Sequence, residues 1–146
     1  MAHWDVSHLP YRKEALFGDR VVNCRADRPG SVFAMFRQAV ARAPDREAVV
    51  AGGVRLTYAQ LDAVVAEVAS GLAARGIAHG DRVALLIPNR IEFVILLYAL
   101  ARAGAIAVPI SHREKGPAVA YAVNHSGAKL LIHDPALSDA LPAPAD

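Results

Sequence analysis

Gly80-Asp81-Arg82-Val83-Ala84-Leu85-Leu86-Ile87-Pro88 decides the fold. A short, unbroken apolar run between a Gly-Asp turn and a proline suits a strand covered on both faces, as in a parallel sheet. Downstream, Asn89 and Glu92 have the spacing of a helix-capping box, and the apolar run from Ile91 continues to about Ala103 before Gly104 stops it. Ala105-Ile106-Ala107-Val108-Pro109 reads as the next strand, with the proline at its end. Pro117 sits at a favourable first helical position. Ala118, Tyr121, Ala122 and His125 share one face behind it, and Gly127 is the stop. Lys129 to His133 is a third buried-type strand. Strand, helix, strand, helix, strand implies right-handed crossovers and a mostly parallel sheet with helices on both faces. The fold class is α/β.

Upstream, Glu47–Ala51 and Val54–Leu56 flank Gly52-Gly53, and two glycines suit a two-residue hairpin turn. Thr57 caps the following helix while Gln60 reaches back to it, and Leu61, Val64, Val65, Val68 and Leu72 line one face. Gly76 stands where a left-handed cap belongs, with Ile77 placed to pack back. Ser31 caps an earlier helix that carries Phe33, Phe36 and Val40 and ends before Pro44. Residues 1–30 read as a polar, irregular N-terminal arm, and residues 135–146, rich in Pro and Ala, as a connector. Residues 31–134 form the α/β body between them.

Composition narrows the function. Hydrophobic residues make up 54% of the 146 and charged residues 21%, so a core is expected. A net charge of +2 with scattered Lys and Arg argues against nucleic acid and against an anionic membrane surface. The one cysteine, Cys24, excludes an internal disulfide and fits a reducing cytoplasm, and the N-terminus shows no signal peptide. Ile91–Ile110 has the length of a membrane span, but Glu92 and Arg102 lie within it, and it reads as a helix followed by a strand.

Ligands of open parallel sheets usually sit beyond the carboxyl ends of the strands. The loops there contain Pro88-Asn89-Arg90, Ile110-Ser111-His112-Arg113 and Asp134-Pro135. Asn89 reads as a helix cap before it reads as an anion ligand, and Ser111, His112 and Arg113 as a solvated loop before a pocket lining. No GxGxxG or GxxxxGK[ST] phosphate cradle occurs. His3, His8, His79, His112, His125 and His133 form no metal-ligand spacing, and Cys24 lacks a nearby histidine to activate it. The residues therefore yield no catalytic, cofactor-binding or metal-binding assignment.

Leu56-Thr57-Tyr58-Ala59-Gln60-Leu61 resembles the first core motif of the adenylate-forming superfamily, L-T-Y-x-E-L, with Gln60 for the usual glutamate. Leu100 to Ile110 resembles the second, L-K-A-G-x-A-Y-V-P-I, with Arg102 for the lysine and Ala107 for the aromatic. Gly80-Asp81-Arg82-Val83 with Ile87-Pro88-Asn89, and Asn124 to Ile132, match the same family's wording in the same order. Together the motifs span about residues 31–134.

The resemblance implies the N-terminal part of an acyl-CoA-synthetase-type enzyme that uses ATP, Mg and coenzyme A on a carboxylic acid. It also implies that both matched motifs are structural. The family's phosphate loop, adenine and ribose contacts, and C-terminal lysine have no counterpart in these residues, so the chain alone is expected to be inactive. A non-catalytic binding domain or one piece of a split protein is the alternative, and an unrelated doubly wound nucleotide-binding domain a third. The apolar run Ile91–Tyr98 and the open sheet edges point to a partner, either the remainder of an enzyme or a second copy.

Overall fold

A computed structural model describes residues 8–16 and 18–142, so His3, the rest of residues 1–7 and residues 143–146 lie outside the described residues. The elements are β1 (Tyr11–Leu16), β2 (Arg20–Arg25), α1 (Val32–Arg42), β3 (Glu47–Ala51), β4 (Val54–Thr57), α2 (Tyr58–Ala74) and β5 (Arg82–Leu86). They continue with α3 (Ile91–Ala103), β6 (Ile106–Pro109), α4 (Gly116–Ser126), β7 (Leu130–His133) and a 3-10 helix, Pro135–Ala140. β5, β6 and β7 form one parallel sheet in the order β6-β5-β7, as the alternation of elements requires. β3 and β4 form the antiparallel hairpin around Gly52-Gly53, both of which have positive φ.

β5 is central, and its side chains divide the interior. Val83 and Leu85 point into the larger core with Phe36 of α1, Leu61, Val65, Ala69 and Leu72 of α2, and Ala99 and Leu100 of α3. Ala84 and Leu86 point the other way, into a smaller core with Ile110, Val119 of α4 and Ala140. A period-two strand buried on both faces must be apolar at every position, which is why this run shows no alternation.

Local chemistry fixes the helix ends. Thr57 Oγ1 accepts from Gln60 N–H at 3.2 Å while Gln60 Oε1 accepts from Thr57 N–H at 2.9 Å, completing the capping box. Ser31 Oγ accepts from Ala34 N–H at 3.0 Å at the start of α1. At the end of α2, Gly76 takes φ +80°, and Ile77 N–H returns to Leu72 O at 3.1 Å. Only a residue free of a Cβ reaches that conformation cheaply, and Ile77 is then buried against the core.

The structure corrects three expectations. Residues Tyr11–Leu16 and Arg20–Arg25 are not irregular: as β1 and β2 they pair antiparallel in register from Tyr11 with Arg25 to Leu16 with Arg20. The segment after β7 is not a bare connector, because Pro135–Ala140 winds into a 3-10 helix and buries Ala140. Asn89 does not cap α3. The helix begins one residue later, Arg90 occupies the N-cap with extended backbone, and no side chain caps it. With the start at Ile91, the third helical residue is Phe93 and not Glu92, so the box cannot close. The membrane-length stretch divides into α3 and β6, and no described helix is long and apolar enough to cross a membrane.

Candidate functional site

The carboxyl end of β5 lies between two neighbours, and the chain leaves it, β6 and β7 toward different layers. The connection from β5 runs through α3, which packs in the larger core, whereas the connections from β6 and β7 run through α4 and the 3-10 helix, which pack in the smaller one. That divergence opens a crevice at the ends of β5 and β7. A cleft of about 460 Å³ occupies it, with Ile87, Ile95, Leu96 and Ile132 as apolar walls and Arg90, Glu92, His133 and Asp134 at its polar end.

Arg90 and Asp134 dominate that end. Arg90 Nη1 donates to Asp134 Oδ2 at 2.6 Å, and Arg90 Nη2 lies 3.3 Å from Glu92 Oε1. Asp134 is the one buried charged residue among those described, at 7% exposure. Its Oδ1 accepts from Ala136 N–H at 2.9 Å, capping the 3-10 helix, and its own N–H donates to Leu86 O at 3.0 Å. His133 Nδ1 sits 2.9 Å from the Asp134 carbonyl. Both Asp134 oxygens are thus engaged within the chain, and the pair forms the polar end of the crevice.

The hydrogen bond from Ala136, helped by the Arg90 guanidinium and by His133, holds the Asp134 carboxyl below its usual value, against the burial that raises it. A carboxyl whose pKa is depressed on folding contributes stability that is complete above its unfolded value, near 3.9. That contribution is lost as the pH falls through the depressed folded value. Melting temperature should therefore drop more steeply below about pH 4 in the native chain than in Asp134→Asn, with little difference in slope between pH 6 and 8. Parallel acid profiles for the two proteins would show that Asp134 is not linked to folding.

The sequence-singled residues separate. Asn89 is exposed and lines a hollow of about 230 Å³ with Ala51, Gly52 and Val54 at the tip of the β3–β4 hairpin. Ser111 Oγ accepts from Arg113 N–H at 3.3 Å; Ser111, His112 and Arg113 are exposed and do not line the cleft beside Arg90. Cys24 is half-buried in β2. Among the described residues no three His, Cys, Asp or Glu side chains gather as a metal ion would require. The Arg90–Asp134 pair itself escaped sequence reading, since its partners lie 44 residues apart and only the strand order brings them together.

The profile of AMP-binding enzymes matches residues 36–145. The chain belongs to that family. It is 44% identical over 117 residues to the long-chain-fatty-acid–CoA ligase FadD13 of Mycobacterium tuberculosis, a match covering 77% of this chain and 23% of that protein. Against a feruloyl-CoA synthase of Amycolatopsis it is 46% identical over 92 residues, covering 63% and 19%. Among solved structures, the N-terminal domain of FACL13 from M. tuberculosis superposes with TM-score 0.72 at 42% identity, over 80% of this chain and 31% of that one. The N-terminal subdomain of Klebsiella oxytoca NpsA bound to anthranilyl-AMSN gives 0.72 at 28%, over 79% and 29%. The chain thus spans about a quarter of the length of such curated AMP-binding relatives. Its architecture is that of an N-terminal adenylation subdomain, in part.

The two core motifs serve the framework in this AMP-binding chain. Thr57 and Gln60 are the α2 capping box. Arg102 lies over the Phe33 ring at 5.4 Å and 3.8 Å from Asp62 Oδ1, while Arg37 of α1 bonds the other Asp62 oxygen. Arg37 therefore ties α1 to α2 through Asp62, while Arg102 of α3 forms only a long ion pair with the other oxygen, which has no hydrogen-bond partner among the described residues.

Proposed function

We propose that this chain supplies the N-terminal α/β portion of a cytoplasmic enzyme that activates a carboxylic acid with ATP and transfers the acyl group to coenzyme A. The observation that carries the reading is the family match over residues 36–145, together with identity above 40% to proteins named as a CoA ligase and a CoA synthase. In such a reaction a carboxylate oxygen attacks the α-phosphorus of ATP and pyrophosphate leaves. The thiolate then attacks the acyl carbon and AMP leaves. Rate in phosphoryl transfer comes from positioning and charge stabilisation. The described residues have little to offer it: Arg90 is engaged by Asp134, no metal-competent cluster exists, and the matched motifs serve the framework. The described residues do not fit the divalent cation the family employs, since no three His, Cys, Asp or Glu side chains gather among them. Their part is to build the sheet against which a catalytic portion packs.

Two measurements test this. The isolated chain, given Mg-ATP and a panel of fatty and aromatic acids, should show no pyrophosphate exchange above blank, and clear turnover would refute its framework role. A chimera with residues 36–142 replacing the matching segment of a FadD13-type ligase should form acyl-CoA within roughly tenfold of the parent rate, as expected if the exchanged part makes no contact to the reacting atoms. A soluble, folded chimera without activity would count against the CoA-ligase assignment.

A further inference from the structure

We propose that residues 10–28 form a strap that swings as one body on Pro29 and Gly30 and closes over the outer face of α1. The strap is fastened to itself throughout. Ala26 N–H donates to Pro10 O at 2.8 Å and so extends the six pairs of β1 and β2 by one more bond. Arg25 holds Asp27 with two donors, at 2.9 and 2.6 Å. Arg28 reaches back across the ribbon to one oxygen of Glu14, whose other oxygen accepts from Arg12 Nε at 2.6 Å. At the joint, by contrast, a Cβ on Gly30 would meet no atom within 4 Å, and the next described bonds are those of Ser31 at the start of α1. Among the described residues no hydrogen bond or ion pair crosses from residues 8–30 to residues 32–142, and neither core takes a described side chain from before Phe33. A unit bonded within itself and not across its joint moves at low cost.

The surfaces on the two sides of the joint match. Paired residues share a face of the ribbon, so Tyr11, Arg25, Ala15 and Val21 lie together. That face turns toward α1, because Arg25 lines a hollow of about 440 Å³ whose opposite wall is Met35, Gln38, Ala39 and Arg42. Val32, Met35, Ala39 and Arg42 stand three, four and three residues apart and form one stripe on α1. Tyr11, Val21, Val32 and Met35 are between 49 and 64% exposed. Closing the hollow takes these four side chains out of water, and a two-stranded ribbon, marginal by itself, gains a surface to lie on. Six ribbon residues reach about 20 Å and the eleven of α1 about 16 Å, so the strap is long enough to cover the helix. Charge opposes closure little. Arg25 is neutralised by Asp27, and Lys13 and Arg42 can keep their charged ends in solvent on long stems.

The strap precedes the residues matched to the AMP-binding family, 36–145, so the proposal stands apart from the functional reading above. Spin labels on Arg20→Cys and Ala41→Cys, in a Cys24→Ser background of the whole chain, should give two resolved distances by double electron–electron resonance. A pair on Ala41→Cys and Glu67→Cys, both within the body, should give one. Val32→Asp combined with Met35→Glu is the decisive variant. Both positions are exposed and lie in the first turn of α1 or just after it, where an acid favours the helix, so the body keeps its fold. One of the two strap distances should then vanish. In the native chain, nuclear Overhauser contacts should join the Tyr11 ring to the Met35 methyl group. A single strap distance, two distances indifferent to the acidic variant, or no contact between Tyr11 and Met35 would overturn the proposal. So would β1 and β2 amides that exchange as freely as those of an unfolded chain, since the strap would then not be one body.

Discussion

Leu85→Ala should lower the free energy of unfolding by about 3–4 kcal/mol, within the range for fully enclosed leucines. Leu85 is wholly buried at the centre of β5, between the strands β6 and β7 and beneath α2 and α3. Removing its branched end takes away transfer free energy and also leaves a cavity. The surrounding strands cannot collapse into that cavity without breaking their register on both sides. Urea titration followed by far-UV circular dichroism should show the midpoint fall at nearly constant m. Val50→Ala, on a half-exposed hairpin position, should stay within about 0.5 kcal/mol and serves as the comparison. A loss below about 1 kcal/mol at Leu85 would mean the central strand is not enclosed as described.

Phe36→Ala should cost a similar amount, about 3–5 kcal/mol, by a different route. Phe36 is the one buried residue of α1, and its ring stacks on Tyr98 of α3 with centroids 4.4 Å apart and planes 22° from parallel. Phe33 and Tyr58 complete the aromatic group at 6.3 and 6.4 Å. Aromatic pairs add about 0.5–1.5 kcal/mol beyond area, so Phe36→Leu should recover much of the loss but not all of it. Hydrogen exchange should locate the damage. With alanine at position 36, amides of α1 should exchange well before those of β5. Uniform acceleration across the chain would show that α1 is not a separately anchored layer.

What the sequence disclosed followed the range of the interaction. The capping box of Thr57 and Gln60, the Gly52-Gly53 turn and the left-handed caps at Gly104 and Gly127 each rest on contacts within a few residues, and all are present. β5 was legible because burial on both faces leaves a continuous apolar run. The β1–β2 hairpin was missed because its strands are mostly exposed and mix Arg, Lys, Glu and Asn with Val and Leu, so neither face shows a clean period of two. Asn89 misled because a cap is defined by the residue whose backbone turns, and that residue is Arg90. The Arg90–Asp134 pair could not be read at all, since it depends on β7 lying next to β5 and not beyond β6.

The order β6-β5-β7 also has a consequence in time. The middle strand is synthesised first, and its two neighbours follow on either side. A ribosome adding residues at about 5–20 per second needs several seconds to pass from Arg82 to His133. Throughout that interval Val83 and Leu85 can shelter under α1 and α2, which have already emerged, but Ala84 and Leu86 have nothing to cover them until α4 arrives. The nascent chain therefore carries a half-finished strand with one dry side and one wet side. Its small residue, Ala84, lies on the side that waits longest, which limits the sticky surface shown to other nascent chains and to chaperones.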